Sequence, residues 1–218
     1  MAKKKSISKE DFMSYYMNYV LEHNARPKTI FSLCKVMGTE EPLFYGFFGS
    51  FEGLEKGIFN QFYVNTKTLL EKAPDFRAFD SRDKLLSFYY TFFEILTANR
   101  SFVVFMLDGY KTDLKRLKVL STLRQSFIEF IEDLNIETIE TKQKDIDKFQ
   151  QKALTESAWF QLVVTIEFWL NDTSAKFEKT DIFIEKSVNT SFDIINTTPI
   201  KSIIDLGKFL FKEKVQMS

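Results

Sequence analysis

Apolar positions recur along this chain at three- and four-residue spacing, and no segment shows the period-two alternation of a half-buried strand. Phe12, Tyr15, Tyr16, Tyr19, Val20 and His23 predict a first helix, opened by Ser8 and ending near Asn24. Asp11, three residues after Ser8, completes a weak capping box. After the connector ARPK, Thr29 can cap a short second helix through Met37, with Ile30, Leu33 and Cys34 inward and Gly38 as its stop. Thr39 is the expected N-cap of a brief third helix, Glu40 to Phe47, whose Glu40, Glu41 and Pro42 suit a first turn. Beyond Gly49, Ser50 caps a long fourth helix with Phe51, Leu54, Ile58, Phe62 and Leu69 on one face, ending before Pro74.

The stretch from Lys72 to Asp83 breaks the pattern and is the expected boundary. A fifth helix follows, DKLLSFYYTFFEILTANR, apolar nearly all round and therefore central. SFVVFMLDG predicts a short sixth helix. The run from Lys111 to Asn135 predicts a single seventh helix with Leu114, Leu117, Leu120, Leu123, Phe127, Phe130 and Leu134 inward. A polar stretch leads into an eighth helix carrying ALTESAWFQLVVTIEFWLND. Thr180 is read as the cap of a ninth, with Ile184, Val188, Phe192 and Ile195 as its stripe, and Thr198-Pro199 opens a last one. The fold class is all-α.

Composition agrees: 25 Phe and 8 Tyr stand against 7 Gly and 4 Pro. Five of the glycines (Gly38, Gly46, Gly49, Gly53 and Gly57) crowd into one stretch, which must hold tight turns or close helix contacts. Lys+Arg and Asp+Glu balance at 30 each, so no global field draws the chain to nucleic acid or an anionic surface. The basic start MAKKKSISKED has no apolar run behind it, and the longest apolar run, Phe102 to Leu107, is far too short for a membrane span. A cytoplasmic protein is expected. His23 and Cys34 have no evident catalytic partner, and no HExxH, P-loop or GxSxG arrangement occurs. The reading is of a non-enzyme without cofactor or metal.

The stretch ARPKTIFSLCKVMGTEEPLFYGFFGSFEGL, Ala25 to Leu54, resembles the helix-turn-helix signature of TetR-family transcriptional regulators. In that family a Thr opens helix 2, a Gly separates helices 2 and 3, and a Tyr and a Phe three residues apart precede a Ser-Lys-Glu that opens helix 4. Thr29, Gly38, Tyr45, Phe48 and Ser50-Phe51-Glu52 hold those places here without gaps. The segment WLNDTSAKFEKTDIFIEKSV also has the look of the family's C-terminal region. The resemblance implies a TetR-like fold: a helix-turn-helix domain over residues 1–60 and a larger helical ligand-binding and dimerisation domain over 61–218. It implies a homodimer with DNA as a partner, met by Lys3, Lys4, Lys5, Lys28, Thr29, Thr39, Glu41, Leu43, Tyr45 and Ser50.

It also implies an apolar effector in the C-terminal domain. Candidate lining residues are Tyr89, Phe92, Phe93, Phe105, Phe127, Trp159 and Phe160, with Ser157, Thr165 and Glu167 as orienting polar groups; the same aromatics could simply fill a core. Two departures stand out. Phe51 replaces the lysine that meets a phosphate in the family, and no Lys or Arg occurs from Thr39 to Glu55. Phosphate contacts supply most protein–DNA affinity, so an acidic third helix weakens the DNA expectation. The alternative is a TetR-fold binding protein that has lost DNA reading and carries a lipid, another apolar ligand or a protein partner.

Overall fold

The computed structural model describes residues 7–108, 114–137 and 144–195. Among them the chain forms helices joined by turns, and no strand. The helices are α1 (Lys9–His23), α2 (Ile30–Met37), α3 (Glu41–Tyr45), α4 (Phe51–Lys72), α5 (Ser81–Ala98), α6 (Arg100–Leu107), α7 (Ser121–Asp133), α8 (Lys144–Asn171) and α9 (Glu178–Ile195). They fall into two compact units. One comprises the described residues of Met1–Thr66 and Phe92–Gln125, the other those of Lys67–Thr91 and Ser126–Ser218.

In the first unit, local chemistry sets the helix ends. Ser8 Oγ accepts from Asp11 N at 3.1 Å and Asp11 Oδ2 accepts from Ser8 N at 2.8 Å, the capping box that the sequence predicts for α1. Thr29 and Ser32 form a second reciprocal box at the start of α2. Gly38 sits at φ +68°, where its N–H reaches Lys35 O (3.3 Å) while Thr39 N reaches Cys34 O (2.9 Å). These two bonds make a Schellman stop, and they need the left-handed conformation that glycine adopts without a Cβ clash. α1 packs on α6 and α2 on α3. The core around α1 to α3 and the start of α4, called the head below, is aromatic: Phe12 meets Phe44 edge-on with ring centres 5.5 Å apart, and Phe51 lies 5.5 Å from Tyr16 and 6.0 Å from Phe44. At Gly57 a Cβ would come within 3.0 Å of Met13 Cε and 3.1 Å of a Phe48 ring carbon, so the missing side chain lets α4 close on these neighbours.

In the second unit, Phe88, Tyr89, Phe127 and Phe130 are buried together, with Phe88 and Phe130 stacked at 4.8 Å. α8 packs along α9, whose buried stripe is Thr180, Ile184, Val188 and Phe192. Arg82 reaches α9, donating to Asp193 Oδ1 at 2.9 Å and Asn189 Oδ1 at 3.3 Å. Ser81 Oγ donates to Leu134 O at 2.8 Å.

Four expectations are corrected. Thr39 does not cap α3: the N-cap is Glu40, with no side-chain cap bond, and the helix is confined to Glu41–Tyr45 because Thr39 N closes the preceding Schellman turn. Leu69 is 52 % exposed while Leu70 is buried, because the buried face of α4 runs through Leu54, Ile58, Phe62, Thr66 and Leu70. The seventh helix is not one element; a 3-10 segment spans Leu114–Leu120 and α7 begins only at Ser121. Thr180 lies in the first turn of α9 rather than capping it. Its N–H and hydroxyl both donate to Asp172 Oδ2, at 3.0 and 2.7 Å. The helix expected from Thr198-Pro199 lies outside the described residues.

Candidate nucleic-acid interface and ligand cleft

The head is built around one buried charge. Glu55 on α4 falls on the apolar face of its helix and is 2 % exposed. Its carboxylate accepts from the hydroxyl of Tyr16 on α1 and, in a forked pair, from Arg26 Nε (2.7 Å) and Nη2 (2.8 Å) in the α1–α2 connector. Burial pushes the Glu55 carboxyl above its ordinary value despite the opposing pull of Tyr16 and Arg26. Burial, reinforced by the neighbouring carboxylate, likewise raises the Tyr16 hydroxyl far above its usual range. A buried carboxylate that is held this way joins three segments of the head. Sequence reading missed the triad. Its only signal was a glutamate on the apolar stripe of α4, and its partners lie 29 and 39 residues away.

The residues expected at DNA take defined places. Lys28 and Thr29 are exposed at the start of α2, where the Thr29 side chain already caps the helix. Thr39 and Glu41 are half-buried, and Leu43 and Tyr45 are exposed on α3. Ser50 is exposed at the start of α4, its Oγ accepting from Gly53 N at 3.1 Å. Lys3, Lys4 and Lys5 lie outside the described residues. The exposed side chains of α2, α3 and the turn after it also include Phe31, Lys35, Val36 and Phe47, so bases are confined to the α2 side and the α3 side is apolar and acidic. Phe51, in the place of the family's lysine, is half-buried and belongs to the head's aromatic core.

The expected effector residues do not gather around one space. Tyr89 and Phe127 are fully buried, with ring centres 6.4 Å apart, and Trp159 lies 6.4 Å from Phe127. This is a packed core cluster. Phe92 and Phe93 are buried in the other unit, and Phe160 is 68 % exposed. Phe105 is half-buried and lines a cleft of about 1070 Å³ in the first unit. The walls of that cleft come from α1, the α1–α2 connector, the start of α4, α6 and the 3-10 segment. They include Leu21, Arg26, Glu52, Arg100 and Val104.

Over the described residues these features define an all-helical protein, in whose first unit the short helices α2 and α3 are joined at Gly38. Residues 84–210, more than half the chain, match the family model described as "Tetracyclin repressor-like, C-terminal domain". The chain therefore belongs to the TetR family, whose members are regulators rather than enzymes. No curated protein matches it. No helix among the described residues is long and apolar enough to cross a membrane.

Proposed function

We propose that this chain is a cytoplasmic, homodimeric TetR-family transcriptional regulator, with residues 1–60 as its DNA-binding domain and residues 61–218 as its effector and dimerisation domain. The observation that carries the reading is the α2–Gly38–α3 pair, closed by a Schellman turn and presenting Lys28, Thr29, Leu43 and Tyr45 outward, in a chain of this family. Two such heads in a dimer would meet successive major grooves. An effector would act by binding two arrangements of the heads unequally. The test is a gel shift on DNA from upstream of the protein's own gene across a salt series. A sequence-selective shift that weakens steeply with salt is expected. Its absence at low salt would remove the DNA role.

One observation favours a second reading. The outward side chains of α3 and the turns that flank it, Glu40, Leu43, Tyr45 and Phe47, include no base, and Phe51 is drawn into the core. Such a surface suits a TetR-fold binding protein that no longer reads DNA and carries an apolar ligand or a protein partner. The same gel shift separates the two.

A further inference from the structure

We propose that the exposed side chains of α2 and α3 form a contact for a second copy of this chain, laid head to head about a twofold axis, in which the basic α2 side of each head meets the acidic α3 side of the other. It rests on the second reading above, in which this surface meets a partner rather than DNA, and it names that partner.

The surface is apolar where a contact would need it. Phe31 (60 % exposed), Val36 (64 % exposed) and Tyr45 (53 % exposed) face water, as do Leu43 and Phe47. They come from two short helices that pack on one another and from the turn after them. Leu33, Cys34, Phe44 and Phe48 of the same stretch already fill the core, so the exposed set is not a displaced interior. Single apolar side chains at a surface are ordinary; a group this large and this aromatic has the composition of an interface.

Charge selects the occupant. On the α2 side, exposed Lys35 follows Phe31 by one helical turn, and exposed Lys28 stands just before the helix. On the α3 side, exposed Glu40 precedes Leu43 by three residues, with the half-buried Glu41 beside it. Lys9 of α1, a base beside the turn after α3, lies over the buried Phe48 ring at 5.7 Å. A phosphate backbone or an anionic lipid surface laid across this face meets the glutamates. A second copy does not. A twofold axis running between the α2 and α3 sides sets each side against the opposite side of the copy, so lysines meet glutamates twice over while the apolar side chains cover one another. The contact is small and belongs to the weak, transient class. It covers Leu43 and Tyr45, so a head paired in this way is closed to DNA.

The experiment is sedimentation equilibrium of the full-length chain carrying Phe168→Glu and Ile182→Glu, which removes association through α8 and α9. Reversible pairing of this parent with a Kd of about 100 µM is expected. In the same background, Lys28→Glu with Lys35→Glu makes both sides acidic, and Glu40→Lys with Glu41→Lys makes both sides basic. Each variant alone should pair at least about tenfold more weakly, and an equimolar mixture of the two should pair as the parent does. Phe31→Ser in one member should weaken the mixture about tenfold, which a bare attraction between oppositely charged proteins would not show. Helicity by circular dichroism should be unchanged in every variant. A parent that stays at single-chain mass up to about 300 µM overturns the proposal. So does a mixture that stays unpaired, or one that is indifferent to Phe31→Ser. The gel shift separates the failures: selective DNA binding without pairing sinks the second reading and this inference together, whereas neither shift nor pairing sinks this inference and leaves the face to a different protein.

Discussion

Asp172 carries four hydrogen bonds on one carboxylate, from the N–H and hydroxyl of Ser174 (2.8 and 2.7 Å) and from those of Thr180. Burial opposes its ionisation, but these donors win and bring its pKa from the ordinary 3.8 down to about 2. A depressed carboxylate stabilises the fold above the unfolded value and loses that contribution as pH falls through the folded one. The wild type should therefore lose the Asp172 contribution between about pH 4 and pH 2. Asp172→Asn should have a lower melting temperature near neutrality and a difference from wild type that shrinks across that window. Asp172→Ala, which strands the buried Thr180 hydroxyl, should cost about 2 kcal/mol in urea titration. The sequence suggested a cap at Thr180, since a Thr preceded an apolar stripe. It could not reveal that the capping carboxylate sits eight residues earlier, across a turn whose Lys176 and Phe177 take positive φ. Glu55 was hidden for the same reason: a long-range partner leaves no mark in local spacing.

The elements of the head were legible wherever one side chain settles one helix end. Ser8, Thr29 and Gly38 each act within a few residues, so their roles survive any tertiary context. The start of α3 was not legible, because the Schellman turn takes the backbone N–H of Thr39 and shifts the N-cap to Glu40. The break before α7 was equally hidden, since Leu117, Leu120 and Leu123 keep apolar spacing across a change of helix type. Two substitutions test the head as an element. Gly38→Ala forces a Cβ onto a φ of +68° and should destabilise the fold by roughly 1 kcal/mol, read by denaturant unfolding. Phe51→Lys restores the family's base and removes ring contacts to Tyr16 and Phe44. It should lower stability by about 1 kcal/mol and, if the head is a DNA reader, strengthen the gel shift and steepen its salt dependence by about one unit of slope. A stabilised variant with no change in shift would detach Phe51 from both roles.

For the whole molecule, the all-helical class followed from apolar periodicity and the scarcity of glycine and proline, whereas the expected effector cavity did not follow from the aromatic stripe. Rings at helical spacing fill space before they enclose it, as Tyr89, Phe127 and Trp159 do. The apolar surface left over is more telling. On α8 and α9, Phe168 stacks on Phe183 at 4.6 Å, and Phe160, Phe168, Ile182 and Ile194 remain exposed. Side chains of this size left facing water on two packed helices suit a self-complementary contact, in which each chain covers the other's face. Ile182→Glu and Phe168→Glu should then convert a dimer into a monomer in sedimentation velocity at micromolar concentration. Helicity should be retained by circular dichroism, because both side chains lie at the surface. A wild-type chain that sediments at single-chain mass under the same conditions would leave the two-headed arrangement without a partner, and with it the spacing that a reader of successive grooves requires.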